Sequence, residues 1–182
     1  MNKEIELKAH VYEPEAVKMR LESLYGAAEA VSKDDIYYIY RTEIDNGRGQ
    51  PVRLRSENGR NVVTLKQKSV EHGIEVNNEL EFGVDIPENF IKYLQLTGAD
   101  EWLTKKKRGW KFTSDYDRKA AVIELCEITG LGWFLEIEIV LQDPDKQQID
   151  GAEREILSIL KKAGIPEDRI EPRYYSEMLG AE

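Results

Sequence analysis

The sequence predicts an α+β fold whose strands form an antiparallel β-barrel or a strongly curved sheet. Three features of the chain carry that expectation. About eight segments alternate polar and apolar residues with the period of two that marks a half-buried strand. Short turns join most of them, and only a few segments show helical spacing. The chain's 182 residues, 41% hydrophobic and 34% charged, suit one globular domain over residues 1–182.

The first strand is expected over residues 3–12, with Glu4, Glu6, Lys8 and His10 on one face and Ile5, Leu7, Ala9 and Val11 on the other. Pro14 can open a helix, Val17, Leu21 and Leu24 follow at helical spacing, and Gly26 can close it. A strand from about Ala28 to Arg41 is rich in β-formers around Tyr37, Tyr38 and Tyr40. Asn46-Gly47 and Gly49 then break the chain. Residues 51–56 and 61–68 flank Asn58-Gly59, a strong hairpin signal. A further strand is predicted over Ile74–Val84 and a helix over Pro87–Leu96, closed at Gly98. Two strands lie between Trp102 and Cys126, turning around Thr113-Ser114-Asp115, and another covers Trp133–Val140. An amphipathic helix over residues 145–163 and a short one near Arg173–Leu179 complete the chain.

Composition removes several classes of function. A net charge of −9 disfavours a sequence-independent binder of nucleic acid or of anionic membranes. No apolar run approaches the roughly 18 residues that a membrane span needs, and charges at Lys3, Glu4, Glu6 and Lys8 interrupt any apolar signal core. One cysteine, Cys126, precludes an internal disulfide, so a cytoplasmic protein is expected.

Against that acidic background the cations cluster. In a barrel, parity decides which side chains share the lumen. One parity collects Lys8, Arg53, Arg55, Lys66, Lys68, Lys106 and Arg108 with Glu4, Glu6, Glu79, Glu81, Glu124, Glu136 and Glu138. By this parity Lys105 and Lys107 point away from the lumen. An ordinary solvated face would mix its charges, whereas here, beyond the first strand with its Glu4, Glu6 and Lys8, the two signs segregate onto different strands. Arg and Lys pairs suit the oxygens of a triphosphate, and glutamates at i, i+2 suit Mg²⁺ or Mn²⁺, hard cations that bridge phosphates. No Gly-rich phosphate loop of the Gly-x-x-x-x-Gly-Lys-[Ser/Thr] type is present.

The run Glu4-x-Glu6-x-Lys8 resembles the ExExK signature of the CYTH domains, or triphosphate tunnel metalloenzymes. That group includes class IV adenylate cyclases, thiamine triphosphatases and inorganic tripolyphosphatases. Asp35-x-Tyr37-Tyr38, Arg53-x-Arg55, Lys66, Glu79-x-Glu81, Lys106-x-Arg108, the segment from Gly130 to Glu138 and Tyr175–Leu179 follow in the family's order, so the resemblance covers the whole chain. The run from Gly130 to Glu138 and the terminal tyrosine look closest to the cyclase-like branch.

The resemblance implies a single CYTH-like domain built on an eight-stranded antiparallel tunnel with flanking helices. It implies Glu4, Glu6, Glu136 and Glu138 near an Mg²⁺ or Mn²⁺ ion. It places Lys8, Arg53, Arg55, Lys66, Lys106 and Arg108 around a nucleoside triphosphate or another triphosphate, with Lys8, Glu124 and Arg108 as candidate catalytic groups. It also carries a homodimer as an expectation. The first expectation for activity is conversion of ATP to cyclic AMP and pyrophosphate. The alternatives are a triphosphate hydrolase and a non-catalytic polyphosphate or nucleotide binder.

Two departures stand out. Cys126 occupies a position where relatives carry an acidic residue, with Glu124 two residues away on the same parity, and Asn77-Asn78 stand where an arginine is common.

Overall fold

The strands turn their apolar side chains outward, so the hydrophobic core lies between the barrel and its helices rather than inside the barrel. The computed structural model describes residues 2–40, 50–67, 69–71, 73–116 and 119–180. Lys68, His72 and the break at 46–49 lie outside them.

In chain order the elements are β1 (Asn2–Val11), α1 (Pro14–Tyr25), β2 (Glu29–Tyr40), β3 (Val52–Glu57), β4 (Arg60–Gln67), β5 (Val70–Glu71) and β6 (Ile74–Gly83). Then come α2 (Pro87–Leu96), β7 (Ala99–Tyr116), β8 (Lys119–Ile128), β9 (Gly132–Gln142), α3 (Lys146–Lys162), a 3₁₀ turn (Glu167–Arg169) and α4 (Tyr175–Met178). All strand pairs are antiparallel, in the order β1-β9-β8-β7-β2-β3-β4-β6, and β6 pairs back onto β1 to close the ring. The two residues of β5 continue the line of β4 along the same edge of β6. The eight-stranded antiparallel barrel expected from the sequence is therefore present. Closure leaves the barrel no open edge for another strand to join.

Helices cover the outside because the strands place Ile5, Leu7, Ala9, Ile137 and Ile139 there. α3 seats Ala152, Ile156, Ile159 and Leu160 on them, all essentially inaccessible to solvent. Its start is fixed by a capping box, in which Asp145 Oδ1 accepts from Gln148 N at 2.8 Å and Gln148 Oε1 accepts from Asp145 N at 3.0 Å. α1 begins at Pro14 and adds Val17 and Leu21 to the same core. On the opposite side α2 contributes Leu94, with Phe90 and Ile91, against Tyr38, Val52, Leu54 and Val63. Each large aliphatic side chain so buried contributes roughly 1.5–3 kcal/mol. A cross-strand charge pair contributes only about 0.2–1 kcal/mol, so this outer packing holds the barrel's shape.

β7 differs from expectation at its end. It runs to Tyr116, which pairs with Lys119, so the chain reverses later than Thr113-Ser114-Asp115. Those three residues favour turns, but pairing with Ala120, Ala121 and Val122 keeps them extended. After α3, the backbone crosses the end of β1, where Glu171 N donates to Lys8 O at 2.9 Å and Ile170 bridges Ala9. That crossing carries Tyr174 and Tyr175 into the lumen.

Candidate active site

The lumen encloses about 360 Å³, toward the small end of the roughly 300–1,000 Å³ of typical ligand sites. Its wall divides into an acidic corner and a basic side. The corner comprises Glu4 and Glu6 of β1, Glu75 and Glu79 of β6, and Glu138 of β9. Glu6 lies opposite both Glu75 and Glu138 in the strand registers, and like charges facing each other destabilise a sheet. Cations offset that repulsion. Lys66 Nζ pairs with Glu4 and lies 3.0 Å from Glu6, 3.5 Å from Glu79 and 3.9 Å from Glu75. Lys8 pairs with Glu75 in a nearly inaccessible contact. Asn77, wholly buried, donates its amide to Glu75 at 3.0 Å and to Glu4 at 3.4 Å. Where an arginine was expected, a neutral amide therefore serves the carboxylates and the corner stays more negative.

Burial and the neighbouring Glu6 raise Glu4 to about 7 despite Lys66. Burial, then Glu4 and Glu6, raise Glu138 to about 8. Burial also opposes ionisation of Glu6, but Lys66 and Lys8 prevail and hold it below the ordinary carboxylate value.

The basic side is built by β2, β3 and β7. Arg53, Arg55, Lys33, Lys105, Lys107 and Lys111 face the lumen. Asp35, fully buried behind them, accepts from Arg55 Nε at 2.7 Å and Nη2 at 2.9 Å, and pairs with Lys105 at 3.2 Å. Burial opposes its charge, yet Lys105 and Arg55 hold its carboxyl far below the usual range. Arg53 donates to Thr64 Oγ1 at 2.8 Å, while its buried Nε has no hydrogen-bond partner among the described residues. Between the two sides, Glu136 accepts from Lys107 and from the Tyr175 hydroxyl. Glu124 accepts from Lys33 at 2.6 Å and pairs with Lys107 at 2.5 Å. Burial works against ionisation of Glu124, but Lys107 and Lys33 lower it to about 2. A carboxylate so acidic is a poor proton acceptor near neutral pH, and its geometry suits holding two lysines in place. Lys8 and Lys105 also lie over the Tyr175 ring, at 5.6 and 4.8 Å from its centroid.

Of the residues singled out in the sequence, Glu4, Glu6, Lys8, Arg53, Arg55, Lys66, Glu124, Glu136 and Glu138 line the lumen. Lys106 and Arg108 do not. Both are exposed on the outer surface, where Arg108 pairs with Asp34 at 2.7 Å. Lys105 and Lys107 take their place inside. The physical reason lies further along β7: Trp110 and Phe112 share the parity of Lys106 and Arg108 and pack into the outer core. Outward parity there forces Lys105, Lys107 and Lys111 inward, a signal already present in the sequence. Glu75 also lines the lumen, outside the set read from the sequence, although it shares its parity with Glu79 and Glu81. Lys33 shares its parity with Asp35 in the same way.

Cys126 is buried in the layer beside Glu124, and burial pushes its thiol up to about 12. A side chain at Gly109, its partner on β7, would come within 2.2 Å of Leu125 O, so only glycine allows this close approach. His10 bonds Glu171 at 3.1 Å and packs on Phe134.

A hard divalent cation fits the acidic corner. Its donors are all carboxylate oxygens, the class that Mg²⁺ and Mn²⁺ prefer, and the buried Glu79 Oε1 has no hydrogen-bond partner among the described residues. Among the described residues no three ligand groups already converge on one point; the Lys66 ammonium stands among the carboxylates instead. The raised carboxyls predict a pH effect on the metal-free protein. Glu138 and Glu4 ordinarily titrate near 4.5 and do so near 8 and 7 in the fold. Their contribution to stability is complete below 4.5 and is lost as pH rises through 7 to 8. Glu124, lowered to about 2, acts only in acid. Melting temperature in chelator is expected to fall between pH 6 and 8.5, and Glu138→Gln to flatten that fall, as read by calorimetry.

Among the described residues no helix is long and apolar enough to cross a membrane. No curated protein matches the chain. The structure resembles PH1012 from Pyrococcus horikoshii OT3 at 25% identity and a TM-score of 0.76, covering 96% of this chain and 98% of that one. A proposed adenylate cyclase from Vibrio parahaemolyticus shares 20% identity with a TM-score of 0.78, over 98% of both chains. HpAC1 from Hippeastrum, a proposed adenylyl cyclase with a dominant triphosphatase activity, shares 15% identity and a TM-score of 0.65, over 98% of this chain and 94% of its own. The CYTH domain family model matches residues 2–175, and with that match spanning both the acidic corner and the basic side, the chain belongs to the CYTH family.

Proposed function

We propose that this protein is a metal-dependent enzyme that cleaves a triphosphate inside the barrel, with hydrolysis as its principal reaction. One observation carries this proposal. Among the described residues, two buried lumen atoms of opposite character lack a hydrogen-bond partner, the donor Arg53 Nε on the basic side and the acceptor Glu79 Oε1, 3.5 Å from Lys66 Nζ, in the acidic corner. A phosphate chain supplies acceptors for the first, and a hard cation satisfies the second.

Arg53, Arg55, Lys105 and Lys107 would bind the phosphates and stabilise the charge that develops on the departing one. Glu4, Glu6, Glu79 and Glu138 would hold an Mg²⁺ or Mn²⁺ ion, which polarises phosphoryl oxygens when bound. In hydrolysis, water attacks the terminal phosphorus and orthophosphate separates from the diphosphate. Glu124 and Glu136 act by holding Lys33 and Lys107 toward the substrate.

The composition of the wall favours hydrolysis. Charged groups dominate it, beside Pro51, Val122 and the tyrosines Tyr37, Tyr174 and Tyr175, so the lumen suits a phosphate chain first of all. Cyclisation of ATP, in which the 3′-hydroxyl attacks the α-phosphorus and pyrophosphate leaves, is the second proposal. It draws on the run from Gly130 to Glu138 and on Tyr175, whose hydroxyl bonds Glu136.

Incubation with Mn²⁺ and either tripolyphosphate or ATP, followed by separation of products, tests both. Orthophosphate with diphosphate is expected; cyclic AMP with pyrophosphate would favour the second proposal, and no product from any triphosphate would refute both. In the same assay Lys105→Ala and Lys107→Ala should each weaken triphosphate affinity by roughly tenfold or more, the effect of losing a charged hydrogen bond. Lys106→Ala and Arg108→Ala should stay within about twofold, as exposed charges do.

A further inference from the structure

Lys66 occupies an unusual position for a residue expected to bind phosphate. Its ammonium sits among four carboxylates contributed by two strands, Glu4 and Glu6 from β1 and Glu75 and Glu79 from β6. An ammonium has three N–H donors and one positive charge. Glu75 is already served by Lys8 and Asn77, but Glu4, Glu6 and Glu79 still exceed the single charge, and Glu79 Oε1, 3.5 Å from Nζ, has no hydrogen bond among the described residues. Glu138 adds a further carboxyl opposite Glu6. Six oxygen ligands and two positive charges match such a cage better than one ammonium does. Lys66 and a metal ion therefore compete for the same oxygens.

The place to which a displaced Lys66 would go is set by its strand. It is rooted on β4 two residues from Thr64, on the same face, and Thr64 is bonded to Arg53. Its flexible four-carbon stem keeps the released ammonium in the lumen beside Arg53, whose Nε has no hydrogen bond among the described residues.

We propose that Lys66 is a displaceable internal counter-ion, which holds the acidic corner together without metal and is handed to the triphosphate when a divalent metal takes its place. The inference rests on the triphosphate function above and adds to it a coupling between the two ligands. Metal binding frees a cation for phosphate, and phosphate binding draws Lys66 away from the oxygens that the metal needs. By reciprocity each ligand then tightens the other. A Lys66 that merely clamps the corner would remain with its carboxylates throughout.

The test uses the full chain and Mn²⁺ alone, followed by electron paramagnetic resonance. Lys66→Met is expected to bind Mn²⁺ on the order of tenfold more tightly than the wild type, a coupling of ordinary size. Tripolyphosphate affinity is then measured with and without Mn²⁺, and the enhancement by metal should shrink in Lys66→Met. Unchanged or weaker Mn²⁺ binding in the variant overturns the inference. A second measurement covers a variant that fails to fold. In the wild type with ¹³Cε-labelled lysine, the Lys66 signal, identified by its loss in Lys66→Arg, should shift saturably with Mg²⁺ alone, and a signal that stays fixed as Mg²⁺ saturates overturns the inference. A wild-type protein that binds no tripolyphosphate under either condition defeats the triphosphate function. One that binds it normally, with Mn²⁺ affinity indifferent to Lys66→Met, defeats only the displacement.

Discussion

Glu136→Gln is expected to lower metal-dependent triphosphate turnover by roughly 10²–10³-fold, the range seen when one preorganised electrostatic contact is lost, while the protein remains folded. Glu136 joins the two sides of the lumen. It accepts from Lys107 and from the Tyr175 hydroxyl, and its register partners are Lys8 on β1 and Glu124 on β8. Burial opposes its charge, but Lys107 and Lys105 keep the carboxyl well below its ordinary value, so it is ionised throughout the working range. Glutamine preserves the shape and can still accept from Tyr175. It cannot neutralise Lys107, which is left with Glu124 alone. A lysine pulled toward Glu124 no longer points where charge develops, so the loss should fall on kcat more than on KM. Circular dichroism and a melting curve separate this outcome from unfolding. Turnover equal to that of the wild type would remove Glu136 from the reaction.

Parity makes most of this site legible in the sequence, because on β1, β3, β4 and β9 the alternate residues are plainly apolar. Leu54 beside Arg53 and Arg55, or Ile137 beside Glu136 and Glu138, leaves one choice of inward face. On β7 the run Lys105-Lys106-Lys107-Arg108 offers cations to both faces, and local alternation cannot choose. The choice is made by Trp110 and Phe112, further along the same strand, which must reach the outer core. The pairing of Tyr175 with Glu136, 39 residues earlier, has no local sequence signal. It depends on how the segment after α3 crosses β1, which tertiary packing decides.

Asp35→Ala should be among the most destabilising single changes in the lumen wall. Asp35 touches no cavity space, but its fully buried carboxylate neutralises Arg55 through two hydrogen bonds and Lys105 through an ion pair. Removing it leaves two inward cations without their shared counter-ion, and breaking a buried pair in this way costs about 3–5 kcal/mol. For a chain of this size the melting temperature should drop by roughly 6–20 °C. The sign of the pH dependence is fixed as well. Asp35's carboxyl is held far below its ordinary value of 3.8, so its contribution is present above that pH and lost in acid. The gap between variant and wild type should persist from about pH 5 to 9 and narrow only as the pH falls below the unfolded value of 3.8. Tripolyphosphate then distinguishes charge compensation from simple packing. If Asp35 serves as the resting counter-ion of the basic side, the variant's exposed demand for anions makes the ligand raise its melting temperature more than it raises that of the wild type. If Asp35 only fills space, both proteins should gain equally, or the variant less.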